Sequence, residues 1–127
     1  MNAAPLIAIV DDDPSVRRSL LRVVRSAGYE AVAFATADTF LEWLTVRRPD
    51  CLVLDVHMDG MSGLELQERL VVPVIFITAH DDASTRARIQ KSTAAAHLKK
   101  PFDAETILHA IRRITGRESE SSDKERQ

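Results

Sequence analysis

Short apolar runs alternate along the chain with longer stretches whose apolar positions recur every three or four residues. The runs predict strands at Leu6–Val10, Glu30–Phe34, residues 50–55, residues 74–77 (ending in Thr78) and residues 95–98. After Asp11-Asp12-Asp13, Pro14 opens a helix. Its core face carries Val16, Leu20, Val23, Val24 and Ala27, with Arg17, Arg18, Arg22 and Arg25 on the other face and Gly28 as the stop. Thr36 or Asp38 caps a second helix bearing Phe40, Leu41, Trp43 and Leu44, which ends at Arg47-Arg48-Pro49. An Asp59-Gly60 turn and Gly63 precede a short helix over residues 64–70. Asp81-Asp82 opens a polar helix over residues 83–92, loosely held by a thin stripe of Ala83, Ala87 and Ile89. Asp103 caps the last helix, where Ile107, Leu108, Ile111 and Ile114 share a face and Gly116 ends the pattern.

Strand and helix alternate five times. That order predicts an α/β fold, a five-stranded parallel sheet with helices on both faces. A length of 127 residues fits one domain, placed at residues 1–116. Residues 117–127 contain no hydrophobic side chain and are expected to be a disordered charged tail or a linker remnant.

Charge changes the picture by what it excludes. A net charge of −2 gives no global attraction to nucleic acid, so DNA contact needs a further domain. No apolar stretch reaches membrane-spanning length, and the first residues lack the form of a signal peptide, so a cytoplasmic location is expected. The one cysteine, Cys51, has no disulfide partner and begins an apolar run, which fits a buried, reduced side chain.

The candidate chemistry sits at the strand ends. In open parallel sheets ligands bind outside the carboxyl ends of the strands. That edge collects Asp11 and Asp12 from strand one, Asp55 from strand three, Thr78 from strand four and Lys100 from strand five. Any one of these could be a turn, a helix cap or a solvated charge; their joint placement is what points to a site. Clustered carboxylates raise one another's pKa unless a cation lies among them. Hard oxygen ligands without His or Cys partners suit Mg²⁺ or Mn²⁺ rather than zinc. An aspartate can accept a phosphoryl group, with the metal, Lys100 and the Thr78 hydroxyl on its oxygens.

These residues resemble the receiver domain of two-component response regulators, a CheY-like family with a flavodoxin-like, doubly wound fold. The likeness covers roughly residues 6–115. It rests on Ile9-Val10-Asp11-Asp12-Asp13-Pro14, on Leu54-Asp55-Val56-His57-Met58 with Met61-Ser62-Gly63, on Ile75-Phe76-Ile77-Thr78-Ala79-His80, and on Leu98-Lys99-Lys100-Pro101-Phe102. The wording around the motifs is similar to receivers of the FixJ type that precede LuxR-type helix-turn-helix domains. The resemblance implies that Asp55 accepts a phosphoryl group from a sensor histidine kinase or phosphotransfer protein. It implies Mg²⁺ held by Asp12, Asp55 and the His57 backbone carbonyl, with Asp11 acting mainly through water. Lys100 contacts the phosphoryl group, while Lys99 points the other way along its strand. Thr78 then moves in a two-state switch read out on the fourth helix, fifth strand and fifth helix. Phosphorylation-dependent homodimerisation and control of transcription through a further domain follow by the same analogy. The protein is thereby a signalling module rather than an enzyme, apart from its own phosphotransfer and dephosphorylation.

The chain departs from the family pattern on its output side. Asp59 replaces a usual proline, with an outer-shell metal contact as its expected effect. His97 replaces the aromatic switch residue, which implies either a pH-dependent response or an ordinary strand-end histidine, and Thr93 replaces a frequent glycine. The segment from Gly63 to Pro73 is short, implying a truncated third helix. His57 and His80 stand two positions after Asp55 and Thr78, where the family tunes phosphoryl lifetime. Two competing functions share these residues: a phosphorylation-independent pseudo-receiver, and a Mg²⁺-dependent aspartyl-phosphate phosphatase. No specificity cap is visible for the latter.

Overall fold

Five apolar runs form five strands, β1 (Leu6–Val10), β2 (Glu30–Phe34), β3 (Cys51–Asp55), β4 (Val74–Thr78) and β5 (Ala96–Lys99). Between and after them lie α1 (Pro14–Ser26), α2 (Ala37–Trp43), α3 (Gly63–Gln67), α4 (Ala83–Lys91) and α5 (Ala104–Thr115). The computed structural model describes residues 4–58, 60–79, 83–92 and 94–116. The expectations for Asp59, His80, Asp81, Asp82, Thr93 and residues 117–127 fall outside the described residues.

All strand pairs are parallel and the order is β2-β1-β3-β4-β5. The chain moves outward from β1 to β2, then crosses back to β3 on the other side. This makes the carboxyl ends of β1 and β3 the topological switch point of a doubly wound, flavodoxin-like sheet. Alternate strand residues feed two cores. Ile7, Ile9, Val53, Ile75 and Ile77 pack with Leu20 and Val24 of α1 and Ile107 and Ile111 of α5. Ala8, Val10, Leu52, Leu54 and Phe76 pack with Phe40 of α2, Leu64 and Leu66 of α3, and Ile89 of α4. Residues of β1, β3 and β4 are therefore buried on both faces, which explains their unbroken apolar sequences.

Local signals set the element ends. Asp13 caps α1, its side chain accepting from Ser15 N at 2.8 Å, with Pro14 at the first helical position. Gly28 follows α1 with φ 97°, a left-handed conformation that suits glycine. Thr36, rather than Asp38, caps α2, accepting from Thr39 N at 3.1 Å. Asp103 caps α5 as expected, and Gly116 ends it at φ 85°.

Several boundaries differ from the sequence pattern. Asp50 lies outside β3; its carboxylate accepts from Leu6 N at 2.8 Å and pins the start of β1. The third helix begins at Gly63, one residue earlier than the apolar pattern suggests, because Ser62 and Glu65 form a reciprocal capping box, and it stops at Gln67, the truncation that the short segment implies. In α4 the buried positions are Thr85 and Ile89, while Ala83 and Ala87 are exposed, so the stripe is thinner than expected. β5 is displaced by one residue and its burial alternates: Ala96 and Leu98 are half-buried, His97 and Lys99 exposed.

Candidate functional site

The strand ends bring Asp11, Asp12, Asp55 and Lys100 together. Carboxylate oxygens of Asp11, Asp12 and Asp55 lie within 4.8 Å of one another. Lys100 Nζ sits 2.9 Å from Asp11 Oδ2 and 3.8 Å from Asp55 Oδ2.

Asp11 is held at every polar atom. It is fully buried, and its N–H donates to Phe34 O at 3.1 Å. Its Oδ1 accepts from Asp13 N at 2.9 Å and its Oδ2 from Lys100 Nζ. Its carbonyl accepts from the Arg17 guanidinium at 2.8 Å. Asp12, the next residue, is exposed.

Asp55 ends β3 and is only 4% exposed. Its Oδ1 accepts from His57 N at 3.2 Å. Burial and the negative charge of Asp11 push its pKa up from the ordinary 3.8 to about 6, with a smaller push from Asp12. The Lys100 charge and the His57 N–H offset part of that rise. The loop after Asp55 folds back on it: Gly63 N donates to Val56 O at 3.0 Å. A Cβ at Gly63 would collide with the Asp55 carbonyl oxygen, so this position requires glycine for space.

Thr78 is buried at the end of β4, one residue beyond Ile77, the register partner of Asp55. Its carbonyl accepts from Lys100 N at 2.7 Å, which ties the lysine backbone to the β4 end. The Lys100–Pro101 peptide is cis. His57 brings its N–H to the site, while the residue is exposed. His97 lies apart from the cluster, paired with Phe76 on the exposed side of β5. Beside Lys100 an apolar cleft of about 500 Å³ is lined by Val16, Leu20, Ala79, Pro101 and Phe102. Cys51 is buried and its thiol is pushed up to about 12 by burial and by Asp50, which leaves it unreactive.

Two contributors escaped the sequence pattern. Apolar spacing places Arg17 with three other arginines on the face of α1 away from the core, yet its guanidinium turns back onto the Asp11 carbonyl; Arg25 likewise donates to Ala31 O at 2.9 Å. Helical periodicity ranks side chains by face and is blind to a long side chain folding toward the loop before its helix. The closeness of Gly63 to Asp55 also had no periodic signal, although the Ser62-to-Glu65 spacing marks a helix start.

The donor set is all carboxylate oxygen, one acid exposed and two buried, which fits a hard divalent cation. Residues 7–112 match the family described as response regulator receiver domain. Nodulation protein W of Bradyrhizobium diazoefficiens is 38% identical over 126 residues, 95% of this chain and 56% of that protein. Transcriptional regulatory protein FixJ of Azorhizobium caulinodans is 36% identical over 124 residues, 94% of this chain and 59% of that protein. The crystal structure of a response regulator receiver protein from Burkholderia phymatum superposes with a TM-score of 0.81 at 43% identity, covering 88% of this chain and 95% of that one. The chain spans about half the length of the curated relatives it matches. On sequence and on structure alike, the chain belongs to the response regulator receiver family of two-component signalling systems.

Proposed function

We propose that this receiver accepts a phosphoryl group on Asp55 in a Mg²⁺-dependent reaction, and that a sensor histidine kinase or phosphotransfer protein supplies it. One observation supports this above the others: Lys100 lies between two buried carboxylates, and Asp55 is still driven up to about 6. One lysine does not balance three acids, so the site favours a further cation, whose charge would then offset an anionic ligand.

Asp11, Asp12 and Asp55 would hold the metal, with the His57 backbone carbonyl as a further oxygen donor. Bound Mg²⁺, or Mn²⁺ in its place, supplies positive charge that favours ionised Asp55 and offsets the phosphoryl oxygens. An Asp55 oxygen attacks phosphorus while the bond to the partner's histidine nitrogen breaks, leaving an acyl phosphate on the aspartate. Lys100 neutralises a phosphoryl oxygen, and the Thr78 hydroxyl donates to another after moving toward it. Thr78 and Lys100 are joined through their backbones, so movement at Thr78 bears directly on the end of β5 and on His97 along it.

The output of the switch is inferred from relatives named as transcriptional regulators. Control of DNA would act through a further domain, with phosphorylation-dependent pairing of receivers as one route. Among the described residues no helix is long and apolar enough to cross a membrane. The test is intact-mass measurement after incubation with a small phosphodonor and with a phosphorylated histidine kinase. A single phosphoryl adduct that requires Mg²⁺ and is absent from Asp55→Asn is the expected result. An adduct that persists in Asp55→Asn, or no adduct from either donor with Mg²⁺ present, overturns the proposal.

A further inference from the structure

Arg17 is the one arginine of α1 whose guanidinium reaches the strand-end site, donating to the Asp11 carbonyl at 2.8 Å. We infer that Arg17 is a positioning residue for cation binding: by holding the Asp11 carbonyl it fixes the exposed Asp12 carboxylate against Asp11 and Asp55. The inference rests on the proposed metal binding and concerns how the chain prepares for it.

The Asp11 carbonyl and the Asp12 nitrogen belong to one planar peptide unit, so a tether on the oxygen sets the direction in which the Asp12 Cα leaves. Asp11 itself needs no such help, since its N–H and both carboxylate oxygens are already bonded to Phe34, Asp13 and Lys100. Asp12 has no comparable burial to hold it: it is exposed, at the turn between β1 and the α1 cap. The first backbone bond of α1, from Arg17 N to the carbonyl of the cap residue Asp13 at 3.0 Å, fixes the base of the side chain close to this loop. Arg17 is half-buried, whereas its neighbour Arg18 is exposed.

The charge of Arg17 argues in the opposite direction, which makes the role testable. A cation near three carboxylates repels an incoming Mg²⁺, so on charge alone removing Arg17 tightens metal binding. Removing a tether weakens it.

The experiment is Mg²⁺ titration followed by thermal unfolding of the wild type, Arg17→Met and Arg18→Ala. Met keeps the aliphatic stem and loses the donors. Arg17→Met is expected to weaken the apparent Mg²⁺ affinity by about tenfold, the low end of the losses seen on removal of outer-shell supports. Arg18→Ala is expected to leave it unchanged or slightly tighter. Unchanged or tighter affinity in Arg17→Met overturns the inference. Should Arg17→Met fail to unfold cooperatively, Arg17→Ala and Arg17→Gln answer the same question by the same criterion. A wild type that gains no stability from Mg²⁺ refutes the metal-binding reading itself, a result distinct from a wild type that binds and an Arg17 variant that binds equally well.

Discussion

The carboxyl ends of β1, β3 and β4 and the margin formed by β5 and α4 belong to one sheet, but they are built differently. Every residue of β1, β3 and β4 is buried. In β5 only Ala96 and Leu98 are half-buried, and α4 buries Thr85 and Ile89 among nine residues. The difference follows from the work each region does. Mutually repelling carboxylates stay close only if the backbone under them cannot relax, and a double-sided core provides that rigidity. A margin with little buried surface can rearrange at small cost, which is what the proposed switch would require of it.

The sharpest way to break that contrast is a matched pair of truncations. Ile77 and Leu98 are register partners on β4 and β5. Ile77→Ala should destabilise by roughly 2–5 kcal/mol, the range for a fully buried aliphatic residue. Leu98→Ala should cost only about 1 kcal/mol, since less apolar surface returns to water. Denaturant unfolding measures both. Equal losses would mean that β5 is as firmly packed as β4.

Next in size is the electrostatic penalty at Asp55. In the folded protein it keeps its proton to about pH 6, whereas the unfolded chain releases it near 3.8. The folded state therefore binds more protons between these values, and stability falls as pH rises through that window. A shift of this size corresponds to up to about 3 kcal/mol in metal-free protein at neutral pH. Asp55→Asn should be more stable than the wild type by up to that amount near pH 7, and the advantage should vanish below about pH 4. A variant that loses the proposed acceptor yet gains stability is the expected mark of a site held under repulsion.

Smaller again is Gly63→Ala. A methyl group driven at the Asp55 carbonyl forces the backbone apart and should cost roughly 1–3 kcal/mol. It should also lower the Mg²⁺-dependent stabilisation, because the displaced backbone is that of Asp55. A stable variant with unchanged Mg²⁺ response would show that the loop can yield without moving the acid.

Most of this molecule was legible in its sequence, and the exceptions have physical causes. The five strands, the five helices, their alternation and the grouping of Asp11, Asp12, Asp55 and Lys100 follow from apolar periodicity and from where polar residues end each run. The start of α3 escaped because a capping box overrode the apolar pattern, and β5 slipped by one because an edge strand with alternating burial has little hydrophobic signal to fix its ends. In α4, Thr85 took a buried place that periodicity assigned to alanine. Arg17 was hidden for a different reason: its contact is with a main-chain oxygen, and no residue type announces that partner.

The most direct test of the central claim, that these acids form a strained cluster completed by a divalent cation, is one pH series. The stability of the wild type and of Asp55→Asn is measured from about pH 4 to about pH 7, with and without millimolar Mg²⁺. Without Mg²⁺ the wild type should fall behind Asp55→Asn as pH rises to about 6, and Mg²⁺ should close or reverse that gap by raising the wild type far more than the variant. Two proteins that run parallel across the whole range, with neither responding to Mg²⁺, would contradict the account.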